Sequence, residues 1–195
     1  MNDAWPVPPP IQSQRLDLLA LSPALWDALI ARDRARSSEL ARFSIPDDFP
    51  DADWTDFLRF RRGQVIQDPS WGPWSSRAVV VRATNTMVGY TNFHGPPGVN
   101  DTATPGAAEI GYTIFAPHRG AGYATEVARA MIDWAAREHA VRHFISGVAP
   151  DNGPSLRVNA KLGFVDTGKV VDGERIFELW LSENDRGRPP GAPAA

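Results

Sequence analysis

AEIGYTIFAPHRGAGYATEVARAMIDWAAREH, residues 108–139, decides the fold of this chain. Its start, AEIGYTIFA (108–116), reads as a strand. Its end, 122–139, places Val127, Ala130, Met131 and Trp134 at helical spacing, an amphipathic helix. Between them lies a short turn of small residues. RHFISGVA (142–149) follows as another strand, so 108–149 can form a right-handed parallel strand–helix–strand crossover.

The turn itself, His118-Arg119-Gly120-Ala121-Gly122-Tyr123-Ala124, carries chemistry. The first turn of a helix has N–H groups with no intrahelical partner and a partial positive charge. Small residues let a phosphate approach those groups, and Arg119 adds a full charge. In physical terms this is a cradle for a pyrophosphate. No Gly-Lys-Ser/Thr follows, so it is not a Walker loop, and the third glycine of the dinucleotide fingerprint is missing. Taken alone, the stretch also fits a glycine-rich turn that merely starts a helix.

Working outward, QRLDLLAL (14–21) reads as a first strand. Ser22-Pro23 supplies a cap and an N1 proline for the helix that follows. A second helix is predicted from Ala52 to Gln67, with Trp54, Phe57, Leu58 and Val65 on one face. Strands at 75–83 and 87–93 join through Thr84-Asn85-Thr86, and 94–107 is a long Gly/Pro loop. After residue 149, a short helix runs from Pro154 to Leu162 and stops at Gly163. A hairpin turning at Asp172-Gly173 closes the domain. The predicted class is α/β (α+β): a mixed, mostly antiparallel central sheet with helices on both faces and one parallel, splayed strand pair.

The chain has 195 residues, enough for one domain, 13–183, between Pro-rich tails at 1–12 and 184–195. With no cysteine it has no disulfide, thiolate metal site or cysteine nucleophile, which suits a reducing cytoplasm. No 18-residue apolar run is present, so no membrane span is expected. A net charge of -3 without a basic stripe argues against nucleic-acid binding. Arg59, Arg61 and Arg62 are expected to lie on a solvated helix face, and the histidines look too scattered for a metal site.

Two further pieces, Asn152-x-x-Ser155 and Lys161-Leu162-Gly163-Phe164, complete a pattern. With Glu109-Ile110-Gly111-Tyr112 and Arg119-x-x-Gly122-x-Ala124, the chain closely resembles the GNAT superfamily of N-acetyltransferases. It looks most like the branch of enzymes that acetylate ribosomal-protein N-termini (the RimJ/RimL type). The resemblance implies acetyl-CoA as cosubstrate and no metal. The pantetheine arm would use backbone groups of Tyr112 and Ile114 in the gap between splayed strands, where ligands of α/β sheets gather. The pyrophosphate would sit on Arg119, Gly120, Ala121, Gly122, Tyr123 and Ala124, with Asn152 and Ser155 on the far side of the arm. Asn152 as a plain helix cap and Ser155 as a surface residue remain open readings.

Such a reaction is attack of a neutral amine on a thioester, so a base must take a proton. Glu109 is the first candidate and His94 the second; a structural ion pair for Glu109 and a solvent-facing His94 are the plain alternatives. The departing thiolate wants a proton too. Many relatives place Tyr seven residues after the Asn, whereas this chain has Asn159, which cannot serve as that acid. Ser146, a water, or no acid at all is left. Trp54, Trp71 and Trp74 either line an acceptor groove or pack the core. The expected acceptor is a peptide or protein N-terminus, or else a small-molecule amine. A noncatalytic acyl-CoA-binding module and a nucleotide-binding regulator are the rival classes. Monomer and homodimer both stay open.

Overall fold

The computed structural model describes residues 6–182. Strands β1 (Ile11–Gln12), β2 (Leu16–Ala20), β3 (Arg77–Val81), β4 (Thr86–Phe93), β5 (Ala108–Ile114), β6 (His143–Val148), β7 (Val165–Val171) and β8 (Glu174–Trp180) form one sheet. Their spatial order is β1-β2-β3-β4-β5-β6-β8-β7. All neighbours run antiparallel except β5 and β6. Five α-helices cover the two faces: α1 (Pro23–Ile30), α2 (Arg34–Ala41), α3 (Ala52–Gln67), α4 (Tyr123–His139) and α5 (Gly153–Leu162). The fold class read from the sequence holds.

Alternation along the strands divides the core. Leu18, Val79, Phe93, Ile110 and Phe144 join Val127, Met131 and Trp134 of α4 and Val158 of α5 in one cluster. Ala78, Val80 and Met87 join Leu25, Trp26 and Leu29 of α1 and Trp54, Leu58 and Val65 of α3 in the other. Caps fix the helix ends as expected: Ser22 accepts from Leu25 N–H ahead of Pro23, and Gly163 stops α5 with a φ of 86°.

Three local readings need correction, and the open reading of Trp74 closes on core packing. Ile11–Gln12, assigned to the N-terminal tail, is an edge strand paired with Leu18 and Asp17, and Ile11 is buried. The tail readings at 1–5 and 184–195 lie outside the described residues. Helix α2 escaped the sequence because RARSSELA has no apolar stripe; only Ser37 and Ala41 are buried, and Asp33 caps it by accepting from Arg36 N–H. Trp74 is packed between Phe93, Trp134 and His139 in the α4-side core, away from any acceptor groove. Arg61 is not on a solvated face. It is buried, donates to the carbonyls of Phe93 and His94, and burial lowers its pKa to about 10.

Arg77 is the second buried arginine. At 2% exposure it donates to the carbonyls of Pro9, Leu18 and Pro73, tying the N-terminal segment to the sheet. Arg77→Leu keeps bulk but removes the guanidinium donor from three carbonyls. We expect it to lower unfolding stability by about 2–4 kcal/mol in urea titration. A loss below about 0.5 kcal/mol would mean that water replaces the guanidinium at no cost.

Candidate active site

β5 and β6 stay in register for only two pairs, Ala108↔Phe144 and Glu109↔Ile145. Beyond them the strands part. Glu109 C=O accepts from His94 N–H and Phe115 N–H donates to Val88 C=O, so the odd-numbered peptide groups of β5 face β4. By alternation those of Tyr112 and Ile114 face the gap. Tyr112 and Ile114 are thus oriented as the resemblance implied. Ile114 C=O is already used, however, since Arg119 Nε donates to it at 3.0 Å.

The gap opens into a cleft of about 540 Å³. It gathers Glu109, Tyr112, Ser146, Asn152, Ser155 and His94 from the predicted set, together with Asp51, Asp53, Trp54, Phe57, Tyr90 and Glu174. Ile114, Arg119, Gly120, Ala121, Tyr123 and Ala124 do not line this cleft. Gly122 instead lines a second cavity of about 770 Å³ beside α4, with Arg129 and Arg137.

The loop 119–124 is built as the first turn of α4 requires. Gly120 and Gly122 have φ of 83° and 81°, a region open to glycine and strained for other residues. Arg15, from the β1–β2 turn, braces the loop by donating to Ala121 C=O and pairing with Glu126 at 2.7 Å. Burial pushes the Glu126 carboxyl up, but hydrogen bonds from Ser13 and Arg15 outweigh it and hold the carboxyl low. Arg15 was invisible in the sequence because it lies more than a hundred residues from its partners.

Glu109 is the most unusual group in the cleft. It is 1% exposed, one oxygen accepts from Asp101 N–H at 2.8 Å, and the other has no partner. Burial pushes its pKa up, and Asp101 and Glu174 add to that, against His94 and the Asp101 amide. His94 Nδ1 lies 3.4 Å from Glu109 Oε2 and 3.3 Å from Asp101 Oδ1. Strand alternation therefore turns Glu109 toward the cleft, and no arginine pairs with it. His94 faces these two carboxylates while its side chain stays 33% exposed. The reading of scattered histidines also needs correction. His94 alone meets two carboxylates, Asp101 and Glu109, with the candidate ligand atoms within 4.8 Å of one another, because the 94–107 loop folds back on β5.

Glu174 was missed by sequence reasoning. It follows the Asp172-Gly173 turn, a position legible as a strand start but not as a neighbour of Glu109. Gly147 separates the two: a Cβ there would collide with Glu174 and come within 3.5 Å of Glu109 Oε1. On the α4 side, the buried Tyr112 hydroxyl lies beside Ser155; burial pushes its pKa up, and the Ser155 contact opposes the rise. Ser146 is 2% exposed. Asn152 does cap α5, accepting from Ser155 N–H at 3.2 Å, which leaves its amide nitrogen for other use. Asn159 is buried with neither side-chain polar atom bonded, and it does not line the cleft.

An acetyltransferase (GNAT) domain model matches residues 15–165. An uncharacterized N-acetyltransferase, YjdG of Bacillus subtilis (strain 168), is 27% identical over 171 residues, covering 88% of this chain and 96% of the relative. Two solved structures share the fold. A putative ribosomal-protein-serine acetyltransferase from Vibrio cholerae has a TM-score of 0.58 at 19% identity, covering 88% of this chain and 97% of that one. The microcin C7 self-immunity acetyltransferase MccE, in complex with acetyl-CoA and AMP, has a TM-score of 0.57 at 15% identity, covering 88% and 94%. Sheet order, splayed pair and family match agree on the class: an N-acetyltransferase of mixed α/β fold. The chain belongs to the GNAT acetyltransferase family.

Two outcomes are expected from this geometry. Gly122→Val combines backbone strain with a branched side chain at the loop, and should weaken acetyl-CoA binding at least about tenfold, or about 1.4 kcal/mol, by calorimetry; unchanged affinity in a folded variant would place the pyrophosphate elsewhere. Glu109 should also tune stability with pH. Its folded pKa lies above its unfolded value, so folding binds more protons there, and the stability it contributes is lost as pH rises through the folded pKa. Glu109→Gln should therefore melt higher than wild type near neutral pH, with the gain shrinking as pH falls into the ordinary carboxylate range. A variant that melts lower at neutral pH would mean that the His94 contact outweighs burial.

Proposed function

We propose that this enzyme transfers an acetyl group from acetyl-CoA to a primary amine by direct attack, with Glu109 as the base. One observation carries the reading: a fully buried carboxylate with an unpartnered oxygen faces the cleft where the parallel strands separate. The amine nitrogen attacks the thioester carbonyl carbon, a C–N bond forms, and the N–H proton goes to Glu109, directly or through one water. The C–S bond then breaks and CoA leaves as thiolate or thiol. Desolvation is what makes the base useful here, because burial raises its pKa and so makes it a stronger proton acceptor than an exposed carboxylate.

The pantetheine arm bonds the gap-facing peptide groups of Tyr112, in the manner of an added strand. The pyrophosphate takes the α4 N-terminus, with Arg119 and the amides of Gly120 to Ala124. The oxyanion takes the Ile114 N–H, which by alternation faces the gap while its carbonyl is tied to Arg119. Asn152 and Ser155 border the arm. For the thiolate, Ser146 is the proposed proton source, and the Tyr112 hydroxyl, kept protonated by burial, stands on the same side of the sheet. His94, held between Asp101 and Glu109, orients the base. A peptide or protein N-terminus is the preferred acceptor, supported by the fold shared with the Vibrio cholerae ribosomal-protein-serine enzyme. A small-molecule amine is the alternative.

Glu109→Gln keeps the shape and the Asp101 hydrogen bond but removes the basic site. With an accepted amine, kcat should fall by about 10²–10⁴ while acetyl-CoA affinity holds, and the deficit should shrink at high pH where more amine is neutral. A kcat near wild type would give the proton to solvent, to His94 or to Glu174.

A further inference from the structure

The acceptor side of the cleft is acidic. Asp51 and Asp53 enter from the start of α3, and Glu109 and Glu174 from the sheet. Among its lining residues there is no lysine or arginine; His94 is the one group able to carry positive charge. Trp54, Phe57 and Tyr90 form an aromatic wall, with Trp54 edge-on to both others.

The two acid pairs sit on different elements and do different work. Glu109 and Glu174 flank Gly147, whose missing side chain leaves room between them. Asp51 already caps α3, its Oδ1 accepting from Trp54 N–H at 2.8 Å. The helix start offsets roughly half an elementary charge of the Asp51–Asp53 pair, so that corner stays negative. Arg61 covers one face of the Phe57 ring, 5.5 Å from its centroid, but it does not line the cleft, and its terminal nitrogens donate to the carbonyls of Phe93 and His94 and to Gln64.

A reacting ammonium must become neutral before it attacks, so it ceases to balance these carboxylates when chemistry begins. A cation that remains charged throughout would balance them, and the Trp54 ring, which lines the cleft with the two aspartates, suits one. We propose that the acceptor is a primary amine bearing a second cationic group one short chain away. Its reacting nitrogen goes to Glu109 and its second cation to Asp51, Asp53 and the aromatic wall. This rests on the acetyl-transfer reading above. The same chemistry is offered by a free aliphatic diamine and by a peptide N-terminus with lysine or arginine next in sequence.

The test is CoA release by the full chain at saturating acetyl-CoA with matched acceptors. One arm compares 1,4-diaminobutane with butylamine; the other compares N-terminal peptides carrying Lys or Glu at the second position. The dicationic member should win by roughly tenfold or more in kcat/KM in at least one arm, and the winning arm names the source. That advantage should shrink several-fold between about 50 mM and about 500 mM salt, because exposed charges are screened. Asp53→Asn, an exposed substitution, should also shrink it. Equal turnover of both members in both arms would overturn the second-cation proposal while leaving acetyl transfer intact. A preference unmoved by salt and by Asp53→Asn would overturn it as well. No turnover of any amine, with acetyl-CoA still bound, would remove the acetyl-transfer reading and this proposal together.

Discussion

The pairing of β5 with β6 stops after Glu109 and Ile145, and the rest of the site depends on that parting. A continuous ladder would satisfy the peptide groups of Tyr112 and Ile114 with those of β6. Instead they face a gap, and an unpaired strand edge is a ready template for an extended ligand. The same parting opens the cleft on which Glu109, Ser146 and Tyr112 converge. Antiparallel pairing on the outer sides, β4 with β5 and β6 with β8, holds the two strands while they diverge.

The fold was legible where chain-local physics decides. The strand, small-residue turn and amphipathic helix of 108–139, the Ser22-Pro23 start, the Gly163 stop and the Asp172-Gly173 turn all act within a few residues, and each appears as read. Helix α2 was not legible, because it is held by the Asp33 cap and by Arg34 reaching the carbonyls of Pro46 and Phe49, which leaves no apolar period. Strand β1 was hidden by the prolines before it, although Ile11 fills a core position.

The site divides along the same line. Glu109, His94, Tyr112, Ser146, Asn152 and Ser155 were named from the sequence and do line one cleft. Glu174, Asp101 and Arg15 were not. Each depends on a long-range placement: Glu174 on β8 lying beside β6, Asp101 on a loop folding back, Arg15 on a turn reaching α4. Arg61 misled for the same reason, since its helix neighbours Arg59 and Arg62 pair on the surface with Asp56 and Asp27 while it turns inward to β4. Asn159 is the residue for which the structure gives no chemical role; its side chain is buried with neither polar atom bonded.

Amide hydrogen exchange with and without acetyl-CoA tests the central claim most directly, because it reads the unpaired strand edge itself. The account predicts that acetyl-CoA slows exchange at the amides of Tyr112 and Ile114 and across 120–124, and leaves β2 and β3 unchanged. Protection confined to the second cavity beside α4, with Tyr112 and Ile114 exchanging as before, would contradict it.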